Sequence, residues 1–192
     1  MYINSPKRVE VPMFRSVARK LAMLGLGTLS AFCFAGAFAD ELKEGDKAPA
    51  FSLEASDGKT YTLEQYKGKS AVVIAWFPKA FTGGCTKECK SIRENSKALK
   101  DLKIAYFTAS VDTAEQNTKF AKSLELDYPI LSDPDKTVAK EYGVLNAARG
   151  FTNRWTFYID KEGIIKKIDK DIKVDKAGTD VAEKVKELGL AE

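Results

Sequence analysis

The chain has no histidine in 192 residues and only three cysteines. Imidazole therefore cannot be the positive partner of a thiolate, and it cannot supply the nitrogen of a soft-metal centre. Three cysteines are too few for a disulfide scaffold, which is a device of small secreted cores. No internal repeat or low-complexity tract is present, so neither a solenoid nor a disordered tail explains the chain.

What is present begins with a leader. Arg15, Arg19 and Lys20 precede an apolar stretch from Leu21 to Phe38, and Ala37-Phe38-Ala39 has the small-x-small form of a signal peptidase site. Residues 1–39 are expected to be an export signal, with a periplasmic or otherwise exported chain starting at Asp40; the same stretch is just long enough for an uncleaved anchor. The remaining 153 residues suffice for one domain, 40–192, with its own core. Five of the 31 basic and one of the 27 acidic residues fall in the leader, leaving 26 of each and no net charge. Nucleic acid and, after cleavage, a membrane surface gain no support as partners. Cys33 departs with the leader, so Cys85 and Cys89 alone face an oxidising compartment.

Residues 50–63 alternate around Asp57-Gly58 and predict a hairpin. The continuous β-branched and aromatic run "SAVVIAWF" (70–77) predicts a central strand buried on both faces. Thr82, Gly83 and Gly84 then form an entry turn to a helix from Thr86 to Leu102, with Cys89, Ile92, Leu99 and Leu102 on one face. A strand over 103–112 follows, and then a helix capped by Thr113. A short helix near 135–142, a hairpin turning at Lys161-Glu162-Gly163, and a closing helix over 178–189 complete the chain. This order predicts an α/β, thioredoxin-like fold: a central mixed sheet flanked by helices, with an N-terminal β-hairpin extension.

In that fold Cys85 sits where a central strand feeds a helix, among unpaired backbone N–H groups at the positive end of the dipole. An ordinary thiol is only about 3% ionised at pH 7, and the dipole contributes about 0.3 to 1 kcal/mol, so a second positive group is required. A guanidinium within about 4 Å would contribute on the order of 4 kcal/mol before desolvation. Arg154 is the candidate, with Arg149 as the alternative.

"FPKAFTGGCTKE" resembles the peroxiredoxin signature Pro-x-x-x-Thr-x-x-Cys, with Pro78, Thr82 and Cys85 in register. "RWTFYID" resembles the later strand that opens with that family's arginine. The likeness runs from about Leu42 to Gly189 and is nearest the bacterioferritin-comigratory, or Q, type of the AhpC/TSA-like peroxiredoxins. It implies a peroxidatic Cys85, a Thr82 that orients the peroxide, a Pro78 that shields the pocket and an Arg154 that holds thiolate and peroxide. It further implies a hydroperoxide substrate, an external thiol reductant (a thioredoxin-like protein or small thiol), no cofactor or metal, and a monomer or homodimer. Glu88 and Arg93 match positions that are polar in the family, each either part of the site or plain helix surface. Two departures stand out. Gly83 replaces the family's usual proline, which predicts a looser loop. Cys89 lies four residues after Cys85, where the family's resolving cysteine on this helix lies five.

Cys89 is thus either the resolving thiol or an inert core side chain. Trp76, Phe77, Phe81 and Trp155 are expected to line the core or the pocket. Two other activities compete. A thiol:disulfide oxidoreductase calls for Cys-x-x-Cys and a proline where Arg154-Trp155 stands. A Sco-like copper carrier shares Cys-x-x-x-Cys but calls for a histidine.

Overall fold

Asp57 and Gly58 make the first turn: the Asp57 carboxylate accepts from Lys59 N at 3.1 Å, and Gly58 takes φ +79°. They join β1 (Ser52–Ala55) to β2 (Thr60–Thr62) as the expected antiparallel hairpin. The computed structural model describes residues 41–191; the expected export signal over residues 1–39 and Cys33 lie outside them.

The chain continues through β3 (Val72–Trp76), α1 (Gly83–Glu94), α2 (Ser96–Asp101), β4 (Ala105–Ser110), α3 (Ala114–Ser123) and β5 (Ile130–Ser132). It closes with α4 (Thr137–Glu141), a small hairpin of β6 (Leu145–Asn146) and β7 (Phe151–Thr152), then β8 (Trp155–Ile159), β9 (Ile165–Asp169) and α5 (Ala177–Glu187). Seven strands form one mixed sheet in the order β2-β1-β5-β4-β3-β8-β9. β3, β4 and β5 run parallel, while β8 lies antiparallel to β3, with Trp76 opposite Trp155. The N-terminal hairpin extends the sheet past β5.

Every residue of β3 is buried, as its unbroken apolar run requires. Val72, Ile74 and Trp76 pack on one face against Val138, Ala139 and Tyr142 of the α4 region. Val73 faces the other way, toward Ile92, Leu99, Val181 and Val185 of α1, α2 and α5. Thr113 caps α3 through a reciprocal capping box with Gln116.

Three details differ from the sequence expectation. The single helix over 86–102 is two, broken at Asn95 (φ −103°, ψ 8°), whose amide donates to Ser91 O at 2.8 Å and so competes with the backbone ladder. β5 and the β6–β7 hairpin are added strands, too short to show a two-residue period. The helix expected to follow Gly83-Gly84 begins at Gly83 itself.

The closing helix fits α1 through a missing side chain. Gly178 N donates to Ser91 Oγ at 3.2 Å, and a Cβ on Gly178 would lie 2.3 Å from Ser91 O and 2.8 Å from Asn95 Cβ. Gly178→Ala is expected to destabilise the fold by about 1–3 kcal/mol, seen as a lower denaturant midpoint at unchanged m-value.

Candidate active site

The segment between β3 and α1 is held from several sides. Thr152 Oγ1 donates to Phe77 O at 2.7 Å, and the Asp112 carboxylate accepts from Ala80 N at 2.8 Å. Phe81 takes a left-handed φ of +62°, uncommon for an aromatic residue, and its ring stacks on Phe120 at 5.0 Å between centroids. Thr82 is the N-cap of α1, yet its hydroxyl donates back to Lys79 O at 2.9 Å and caps nothing. Among the described residues no acceptor meets the N–H groups of Gly83, Gly84 and Cys85. The first turn of α1 therefore presents free donors beside Cys85, together with the positive end of the helix dipole.

Cys85 is wholly buried, and its sulfur accepts from Arg154 Nη2 at 3.3 Å. Sheet topology explains the meeting. β8 runs antiparallel to β3, with Trp155 opposite Trp76, so Arg154 immediately before β8 lies beside the end of β3 from which the cysteine loop departs. The other arm of the guanidinium, Nη1, binds Glu88 Oε2. Glu88 is 1% exposed, and its second oxygen has no donor among the described residues. One cation thus serves two acceptors one helical turn apart, Cys85 and Glu88. Gly84 makes the approach possible, since a Cβ there would lie 3.3 Å from Arg154 Nη2. The glycine pair is not a loose loop but the first turn of the helix, and its second member makes room for the guanidinium.

Pro78 follows β3, half-buried. Thr82 and Gly83 are exposed and Gly84 partly so, which puts the approach to the sulfur across this first turn. Arg93 is not part of the site: its guanidinium donates to Leu124 O at 2.8 Å and faces Glu125 at 3.9 Å. Arg149 lies exposed in the β6–β7 turn and has no described contact with Cys85. Of the aromatic residues, Trp76 and Phe77 are core and Trp155 is partly buried beneath Lys170 Nζ, 4.0 Å from its ring. Phe81 corrects the expectation: it is 58% exposed, because its left-handed backbone turns the ring onto the rim.

Cys89 also lies in α1 and is wholly buried among Phe77, Ala80, Phe120 and Ile130. Both thiols are free. Tyr128 OH donates to the backbone carbonyl of Cys89 at 3.0 Å, a contact that nothing in the sequence pattern announced. Burial pushes the Cys89 thiol up to about 12; the nearby hydroxyl of Tyr128 draws it down in part and Cys85 pushes it further up.

The AhpC/TSA family model matches residues 44–168, which include Cys85, Glu88, Cys89 and Arg154. The chain belongs to the AhpC/TSA family. It is 33% identical over 140 residues to a putative peroxiredoxin bcp of Coxiella burnetii, covering 70% of this chain and 92% of that one. It is also 33% identical over 138 residues to Peroxiredoxin Bcp of Escherichia coli, covering 69% and 88%. The crystal structure of peroxidoxin BcpB from Mycobacterium tuberculosis superposes with a TM-score of 0.69 at 27% identity, covering 76% of this chain and 97% of that one. These likenesses establish the thioredoxin-like peroxiredoxin fold.

The AhpC/TSA site here carries a second cysteine in an unbroken helix. Residues four apart on a helix hold their Cβ atoms about 5–6 Å apart, whereas a disulfide needs roughly 3.5–4.5 Å, so joining Cys85 to Cys89 requires the start of α1 to unwind. Burial disfavours the Cys89 thiolate as well. An exposed thiol loses its proton near pH 8.5–9, while the folded value lies near 12, so between these values Cys89 is neutral in the fold and ionised when exposed. The stability this gives is complete below about pH 9 and is lost as pH rises toward 12. Denaturation midpoints should fall across this range, and Cys89→Ala should reduce the slope by up to about 1.4 kcal/mol per pH unit.

Proposed function

We propose that this AhpC/TSA-family protein is a thiol-dependent peroxidase, with Cys85 as the residue that meets the hydroperoxide. The observation that carries the reading is the Arg154 guanidinium at 3.3 Å from the Cys85 sulfur, beside the open donors of the α1 N-terminus. A full cation and the positive end of the helix dipole both meet at that sulfur, and the cation is the stronger charge. Glu88 draws on the same cation but fixes its orientation through Nη1.

The chemistry follows from these positions. The Cys85 thiolate attacks one peroxide oxygen, the S–O bond forms as the O–O bond breaks, and the other oxygen leaves as alkoxide or hydroxide to take a proton. The products are a sulfenic acid and an alcohol or water. Arg154 and the free N–H groups of the first turn supply donors for the oxygen that gains charge. The Thr82 hydroxyl, turned to Lys79 O, keeps lone pairs with which to accept from the peroxide O–H. Pro78 closes the pocket on the β3 side. Cys89 then attacks the sulfenic sulfur with loss of water, and an external thiol reduces the disulfide. Membership of this family favours neither disulfide exchange nor copper carriage.

Cys85→Ser should abolish peroxide consumption by the purified protein, and full activity in that variant would refute the assignment. Arg154→Lys is the sharper probe, because it keeps a charge beside buried Glu88 but lacks the two-armed fork. The second-order rate of peroxide reduction should drop by roughly a hundredfold or more, measured by stopped flow, with the fold retained.

The leader has its own test. The reading that residues 1–39 are removed on export rests on the Ala37-Phe38-Ala39 pattern after the apolar stretch. Intact mass of the protein recovered from the exported fraction should correspond to a chain beginning at Asp40; a full-length mass there would count against cleavage.

A further inference from the structure

Tyr128 stands outside the peroxide site but reaches into the helix that carries both thiols. Its hydroxyl donates to the Cys89 carbonyl at 3.0 Å, and the residue is only 8% exposed. That carbonyl lies inside α1, so within the fold it has both the helix ladder and the tyrosine as donors. The tyrosine is anchored by elements outside α1. Its ring meets Tyr106 of β4 edge-on at 4.9 Å between centroids. Its neighbour Asp127 is bound by Lys100 Nζ of α2 at 2.5 Å, and two residues further on Ile130 N donates to Ser56 Oγ at 3.0 Å. The hydroxyl is therefore a fixed donor gripping a helix that has to unwind if Cys89 is to reach Cys85.

Exposing Cys89, which is wholly buried, draws its carbonyl away from the tyrosine and breaks this bond, so every exposure carries that cost. We propose that Tyr128 is a positioning residue that latches α1 through the Cys89 carbonyl and thereby sets how often Cys89 is exposed. The consequence rests on Cys89 being the resolving thiol. Once Cys85 is a sulfenic acid, two reactions compete for it. Cys89 attacks the sulfur and releases water to give the disulfide, or a second hydroperoxide oxidises the sulfur to sulfinic acid and leaves as alcohol or water. A tighter latch slows the first reaction and favours the second.

The test uses Tyr128→Phe, which keeps the ring and removes the donor, in the full chain. Native-state alkylation of Cys89 in the Cys85→Ser background, mapped by peptide mass, should run roughly fivefold or more faster in the Phe variant. With Cys85 present, the disulfide-forming phase in stopped flow should accelerate similarly. The sulfinic fraction at a fixed peroxide excess should fall, while the rate of the first peroxide step stays unchanged. Tyr106→Phe, which removes the neighbouring buried hydroxyl but leaves the Tyr128 donor on the Cys89 carbonyl, should leave Cys89 labelling as it was. Unchanged Cys89 labelling in Tyr128→Phe overturns the latch, and equal acceleration by Tyr106→Phe overturns it too, as general loosening. Faster labelling with no Cys85–Cys89 disulfide in either protein keeps the latch and removes the resolving role from Cys89.

Discussion

A guanidinium has two arms, and in this protein they are divided between a buried carboxylate and a buried sulfur. Arg154 binds Glu88 with Nη1 and the Cys85 sulfur with Nη2. Glu88 has no other donor among the described residues, so its charge inside the protein depends on this arginine. The sulfur in turn depends on Glu88, since a guanidinium held by one arm presents the other at a fixed angle. In a chain without imidazole, no other side chain type at this point offers both permanent charge and planar direction.

The fold is arranged around that contact. The antiparallel placement of β8 against β3 brings the start of one strand to the end of the other, which is where α1 departs. Gly84 gives the guanidinium room, and the Asp112 carboxylate and Thr152 hydroxyl hold the loop that aims the helix. The backbone strain at Phe81 belongs to the same loop, immediately before the N-cap. These features let the first turn of α1 keep its N–H groups unoccupied and directed at the sulfur's surroundings, where a substrate oxygen can use them.

The same helix must also give way if its second thiol is to be used. Cys89 is held neutral by burial and bound by its carbonyl to Tyr128, so the fold that prepares Cys85 also silences Cys89. On the proposed mechanism α1 serves two requirements that cannot be met in one conformation: an intact first turn for peroxide and an opened helix for disulfide closure.

Much of this was legible in the residue order. The unbroken run at Val72–Trp76, the Asp57-Gly58 turn and the Thr113 cap are local signals, because each depends on side chains within a few residues of one another. The spacing of Pro78, Thr82 and Cys85 is local too, and by resemblance it pointed to the proposed nucleophile and to the distant arginine that the fold places beside it. What the chain order could not settle is which charged groups converge. Glu88 and Arg93 looked alike as polar helix positions, yet one is buried against Arg154 and the other binds the end of α3. The outward ring of Phe81 and the grip of Tyr128 on Cys89 likewise depend on neighbours 39 residues away in sequence. Residue order determines the elements and the chemistry each can carry, because those are short-range properties. Only the packed sheet decides which arginine reaches the sulfur, because that is a matter of strand register and of the space one missing Cβ leaves open.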